Sequence, residues 1–98
     1  MVNTQYAQGR RAEYNVRDFF RTEGYRAWRT AGSHGPFDVI ALDKSEVILA
    51  QVKSFTDNPG DYSEDIKKLS KLPAPPYVSK LMVLFKVGKG IVSIERVD

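Results

Sequence analysis

Two apolar runs joined by a short polar link constrain this chain more than any other feature: Phe37-Asp38-Val39-Ile40-Ala41-Leu42 and Glu46-Val47-Ile48-Leu49-Ala50-Gln51-Val52-Lys53. Both read as strands. If Lys44 and Ser45 form the tip of a hairpin, Asp43 lies opposite Glu46 and every pair of facing positions sums to 89. Asp38 then faces Gln51. Directly opposed residues share a sheet face, with Cβ atoms roughly 4.5–5.5 Å apart. Lys53, two residues past Gln51, points to the same face. A carboxylate, an amide and an ammonium therefore converge on one patch of strands otherwise apolar enough to be buried.

The 98 residues are expected to form one domain spanning 1–98, near the lower limit for a self-sufficient core. A hydrophobic fraction of 42% with 11% aromatics excludes a disordered composition. No apolar run approaches the roughly 18–20 residues that cross a bilayer, and Met1-Val2-Asn3-Thr4-Gln5 does not resemble a secretory signal. A cytoplasmic protein without membrane partners is expected. The absence of cysteine excludes disulfides and thiolate metal sites. The net charge of +3 is unevenly spread: residues 1–34 hold six arginines against Glu13, Asp18 and Glu23, whereas residues 35–98 are balanced. Arginine forks suit phosphate oxygens, so a polyanion is the favoured partner; a solvated helix face explains the charge equally well.

Helical periodicity runs from about Gln8 to Glu23. It gathers Ala12, Val16, Phe19 and Phe20 on one stripe and Arg10, Arg17 and Arg21 on another, with Glu13 at the seam. Gly24 ends this helix. Residues 25–29 read as a short strand and residues 31–36 as a loop. Asp61 and Glu64 resemble a capping box opening a second helix that runs to Pro73, burying Ile66 and Leu69 with Tyr62 and Leu72. Leu81–Phe85 is a fully apolar strand, and Gly88-Lys89-Gly90 turns into an edge strand over 91–96. The order is α-β-β-β-α-β-β. The strand–helix–strand crossover requires a parallel pair, so the fold class is α/β, a mixed sheet flanked by helices. Trp28 and Phe37 are assigned to the core; base stacking is the alternative role for Trp28.

Asp38, inside an apolar strand, must be paired, solvated in a cleft or metal-bound, because isolated burial costs several kcal/mol. A metal site and an ion pair with Lys53 are both open. Mg²⁺ takes one or two carboxylates with waters and substrate phosphate oxygens. Gln51 offers a neutral oxygen, Val52 a backbone carbonyl, and Glu13 a second carboxylate if the first helix lays its seam over the sheet. Otherwise Glu13 makes a surface pair with Arg17. Lys53 stands where an ammonium could orient a water or stabilise charge developing on phosphorus. Such a set suits metal-dependent phosphodiester cleavage. Ser33 and His34 occupy a glycine-flanked loop; with a single histidine in the chain, no nucleophilic triad follows.

Gly9-Arg10-Arg11-Ala12-Glu13, Gly24-Tyr25-x-Ala27-x-Arg29, Gly32-Ser33-x-Gly35-Pro36-Phe37-Asp38-Val39-Ile40-Ala41 and Gln51-Val52-Lys53 together resemble the PD-(D/E)XK nuclease superfamily. Within it they resemble the archaeal-type Holliday junction resolvases, over roughly residues 8–55. The resemblance implies a restriction-endonuclease-like fold and a Mg²⁺-dependent endonuclease, with Mn²⁺ able to substitute and no organic cofactor. It implies action on four-way or other branched DNA, usually as a homodimer. By this resemblance Glu13, Asp38 and Gln51 fall on the acidic positions, Lys53 on the catalytic lysine and Ser33 on the loop serine. Arg10, Arg11, Arg17, Arg29, Ser33 and His34 would contact DNA. Two departures stand out: Phe37 separates Pro36 from Asp38, and Gln51 replaces the usual acid.

Three alternatives remain at this level. One is a non-catalytic DNA-binding module that kept the fold. Another is a simpler nicking or restriction-like nuclease. The third is an interaction protein whose Asp38–Lys53 pair is structural.

Overall fold

The computed structural model describes residues 4–30 and 35–98. Its elements are α1 (Thr4–Thr22), β1 (Arg26–Arg29), β2 (Val39–Leu42), β3 (Val47–Phe55), α2 (Ser63–Lys71), β4 (Val78–Lys86) and β5 (Gly90–Arg96). The five strands form one mixed sheet in the spatial order β1-β2-β3-β4-β5. Only β3 and β4 run parallel, joined through α2. The expected element order and α/β class are those of the structure. Among the described residues no helix is long and apolar enough to cross a membrane.

The apolar stripe of α1 explains its packing. Ala12, Val16 and Phe20 are buried against Ala27, Val39, Ala41, Ile48, Ala50, Val52, Val83 and Phe85, with Phe19 at the margin. Each fully buried Val or Phe contributes about 1.5–3 kcal/mol. The helix begins four residues before the expected Gln8. It ends as expected at Gly24, whose φ of +98° is costly for other residues. The Gly24 N–H donates to Arg21 O and the Tyr25 N–H to Phe20 O, the hydrogen-bond pair of a Schellman motif. The accompanying apolar contact is the edge-on meeting of the Phe20 and Tyr25 rings, 5.9 Å apart.

The β2–β3 register decides the rest. Val39 faces Ala50, Ile40 faces Leu49, Ala41 faces Ile48 and Leu42 faces Val47, so each pair sums to 89. Asp43 shapes the tip: its Oδ1 accepts from the Ser45 N–H at 2.8 Å, the Ser45 hydroxyl at 3.0 Å and the Glu46 N–H at 3.0 Å. These bonds hold the Asp43 carboxyl below the usual aspartate range.

The opposite sheet face is only partly covered. There α2 lays Leu69 on Leu49 and Val78, with Phe37, Ile40, Val47 and Leu72 around them; its contacts are with β3 and β4. Trp28 shares this face, being opposite Ile40, but α2 does not reach it. It is 47% exposed rather than core; Phe37 is half-buried. The expected capping box does not form. Tyr62 is the N-cap and makes no side-chain cap bond, while Asp61, one residue earlier, accepts from the Ser63 N–H at 3.0 Å.

Lys80 is a buried cation, 6% exposed, that the strand pattern did not single out. Its Nζ donates to Ser70 O at 3.0 Å and to Leu72 O, closing the C-terminal end of α2 onto β4. Buried acceptors stripped of their donor cost about 1–3 kcal/mol each. Lys80→Met is therefore expected to lower unfolding free energy by at least that much in urea titrations. Lys71→Met, at an exposed position in the same helix turn, is expected to change it by less than about 0.5 kcal/mol.

Candidate active site at the β2–β3 fork

The ladder between β2 and β3 ends where the chain bends at Asp38. The Asp38 N–H still donates to Ala50 O at 2.8 Å. Residues Ala50 and Val52 turn their backbone groups toward the same edge of β3, because those directions alternate along a strand. Val52 would continue the ladder, but its N–H instead reaches the Asp38 side chain: Oδ2 accepts it at 3.0 Å. The same oxygen accepts from Gln51 Nε2 at 2.9 Å. The Asp38 carboxylate thus occupies a fork between parting strands, and the Val52 carbonyl points into that fork. Thr30 steadies the entry, donating its N–H to Asp38 O at 2.8 Å and its hydroxyl to Phe37 O at 3.2 Å.

Gln51 is buried, 6% exposed. It turns its NH₂ toward Asp38, so a cation shared by the two would require the amide to turn over and give up that bond. Lys53 lies on the same face, but its ion pair is with Asp65 of α2, at 3.3 Å, rather than with Asp38. The Tyr62 ring lies 6.0 Å from the same Nζ. Asp65 was missed by sequence reasoning, which treated the region only as a helix start. A usable signal existed, since a crossover leaving the end of β3 brings the first turn of its helix back near Lys53.

Glu13 approaches from the other side of the sheet. It accepts from Arg29 Nε at 2.7 Å and does not make the surface pair with Arg17, which instead pairs with Asp18 at 2.8 Å. Arg29 belongs there because it shares its strand face with buried Ala27. Both Arg17 and Arg29 also stack on the Tyr14 ring, 4.8 and 5.1 Å from its centroid. Arg10 and Arg11 lie exposed on α1. Ser33 and His34 lie outside the described residues.

The electrostatics tie the two carboxylates together. Burial raises the Asp38 carboxyl above its ordinary value, opposed by the Val52 N–H and by the charges of Lys53 and Arg29. Burial also raises Glu13, opposed by its bond to Arg29 and augmented by the Asp38 charge. These are hard oxygen donors of the kind that bind Mg²⁺. Only Asp38 stands in the fork itself, and among the described residues no three His, Cys, Asp or Glu side chains cluster to hold a metal. The donor types fit such an ion; the charge they bring is small.

Residues 4–87 match the family described as archaeal Holliday junction resolvase (Hjc). No curated protein matches the chain in sequence. The structure of Archaeoglobus fulgidus Hjc, a Holliday junction resolvase from an archaeal hyperthermophile, is similar with a TM-score of 0.73 at 18% identity. The match covers 91% of this chain and 72% of that one, and at this identity it speaks for the fold. With the family match running from α1 through β4, the chain belongs to the archaeal Holliday junction resolvase family, a family of DNA endonucleases.

Proposed function

We propose that this chain is a Mg²⁺-dependent, structure-selective endonuclease that hydrolyses phosphodiester bonds in branched DNA and acts as a homodimer. Family membership supports the substrate class. The observation that carries the chemistry is the Asp38 carboxylate held in the fork, with Lys53 on the same sheet face. Asp38, the Val52 carbonyl and Gln51, once its amide has turned, would hold the ion, with Glu13 completing the shell through water; Mn²⁺ would substitute. The bound ion would supply Lewis-acid stabilisation of charge on the phosphate oxygens.

The remaining work falls to the chain's own groups. Lys53 orients the attacking water and meets charge developing on phosphorus. Asp65 holds the Lys53 ammonium near the fork until a phosphate competes for it. Arg29, bonded to Glu13, favours its ionised form against the burial that raises it. Arg10 and Arg11, with Arg17, Ser33 and His34, guide the DNA backbone.

A second reading is favoured by one specific observation: Gln51 supplies a donor where the resemblance leads one to expect an acid. A module that binds branched DNA without cutting it would show just such a weakened cation site. Cleavage of a fixed four-way junction, compared with a linear duplex and with and without divalent cation, separates these readings and also separates a simple nicking enzyme.

Asp38→Ala and Lys53→Ala are each expected to lower junction cleavage by at least about 100-fold, the scale of a lost general catalyst, with binding retained in gel-shift assays. Full cleavage by either variant would refute the assignment. Gln51→Glu is expected to lower the Mg²⁺ concentration for half-maximal cleavage several-fold, because a second charge enters the fork. The Asp38 shift also has a stability sign. A raised folded value means that stability is fully present below the unfolded value, near 3.8, and is lost as pH rises through the folded value. Asp38→Asn is therefore expected to melt no lower than the parent at pH 7, and to lose its advantage below pH 4, in thermal scans across that range.

A further inference from the structure

We propose that Trp28 and the groove along the outer edge of β1 form a stacking site for an unpaired nucleotide of the DNA, delivering the adjoining phosphate to the fork. The inference rests on the endonuclease reading above and adds to it what part of the substrate is gripped. Trp28 is the only tryptophan, stands 47% exposed, and lies on the part of its sheet face that α2 leaves open. Its partner across the ladder is Ile40, two residues from Asp38. Such diagonal neighbours lie roughly 7–8 Å apart. A base resting on the indole therefore puts a neighbouring phosphate within reach of Asp38.

The surroundings select this occupant. The groove holds about 300 Å³ and is lined by Arg21, Tyr25, Arg26, Ala27 and Trp28: two cations and the open indole, beside a Tyr25 ring that packs on Phe20 and donates its hydroxyl to Glu46. Arg21 is fixed there, donating through Nε at 3.1 Å and an Nη at 2.8 Å to Ala27 O. That contact covers a carbonyl of the edge strand, which blunts the edge against addition of another strand. It also leaves a guanidinium charge standing beside the indole. Interleaved cations and aromatic faces bind single-stranded nucleic acid whatever its sequence, because every base offers a π face.

The single tryptophan makes the test direct. The full chain is titrated in EDTA with an eight-residue oligothymidylate and with a blunt duplex of equal length, following indole emission. Saturable quenching by the single strand and less by the duplex is expected. Trp28→Ala is expected to bind a labelled single strand roughly 5- to 100-fold more weakly with unchanged melting, and Trp28→Phe to recover most of that loss. Absence of quenching, or parental affinity in Trp28→Ala, overturns the proposal. So does emission that responds to protein dilution but not to DNA, which would mean a second copy covers the indole. Cation-dependent junction cleavage read on the same preparation separates the two ideas. Cleavage without quenching sinks this site alone, and quenching without cleavage supports it while sinking the endonuclease reading.

Discussion

The carboxylate of Asp38, accepting hydrogen bonds from Gln51 Nε2 and the Val52 N–H, replaces the next rung of the β2–β3 ladder and so holds the two strands apart. Much else in the structure follows from that substitution. A continued ladder would pair the backbone of Val52 with β2 and leave no gap for a ligand. Because the rung is a side chain, the fork stays polar inside a sheet whose neighbouring positions Val39, Ala50 and Val52 are buried. The hairpin tip at Asp43 fixes which carboxylate lands there, since a slip of one residue would turn Asp38 away from Gln51.

Around the fork the charges are arranged in pairs that do not include Asp38. Glu13 is tied to Arg29 on the α1 side and Asp65 to Lys53 on the α2 side. Each pair is part-exposed and contributes little to stability by itself. Their value lies in position, because two cations are held at the margins of a half-buried carboxylate without pairing with it directly. Burial still raises the Asp38 carboxyl despite the Val52 N–H and the charges of Lys53 and Arg29, and a carboxyl shifted in this way within a fork is a candidate for chemistry.

The hairpin was legible because its constraints are local: two apolar runs, a four-residue link and strict alternation specify who faces whom. The stripe of α1 and the stop at Gly24 were legible for the same reason. Trp28 was misplaced because pattern reveals that a residue alternates, not whether another layer covers its face; α2 packs over β3 and β4 and leaves β1 uncovered. The partners that Glu13 and Lys53 take, Arg29 and Asp65, were not legible because both bonds cross between elements, 16 residues apart for Glu13 and Arg29. The Asp61 capping box failed by one residue, since the Asp61 carboxylate closes a tight turn onto the Ser63 N–H before the helix begins. Lys80 was invisible as a buried cation, because only tertiary packing brings the end of α2 over it.

Whether a divalent cation is held in the Asp38 fork, as proposed above, can be read directly. Mn²⁺ added in substoichiometric amounts to ¹⁵N-labelled protein broadens amide signals by proximity. The signals of the Val52 N–H and the Gln51 side-chain NH₂ should disappear first, and the broadening should be lost in Asp38→Ala. Broadening that begins elsewhere, or that survives removal of the Asp38 carboxylate, would contradict the proposal.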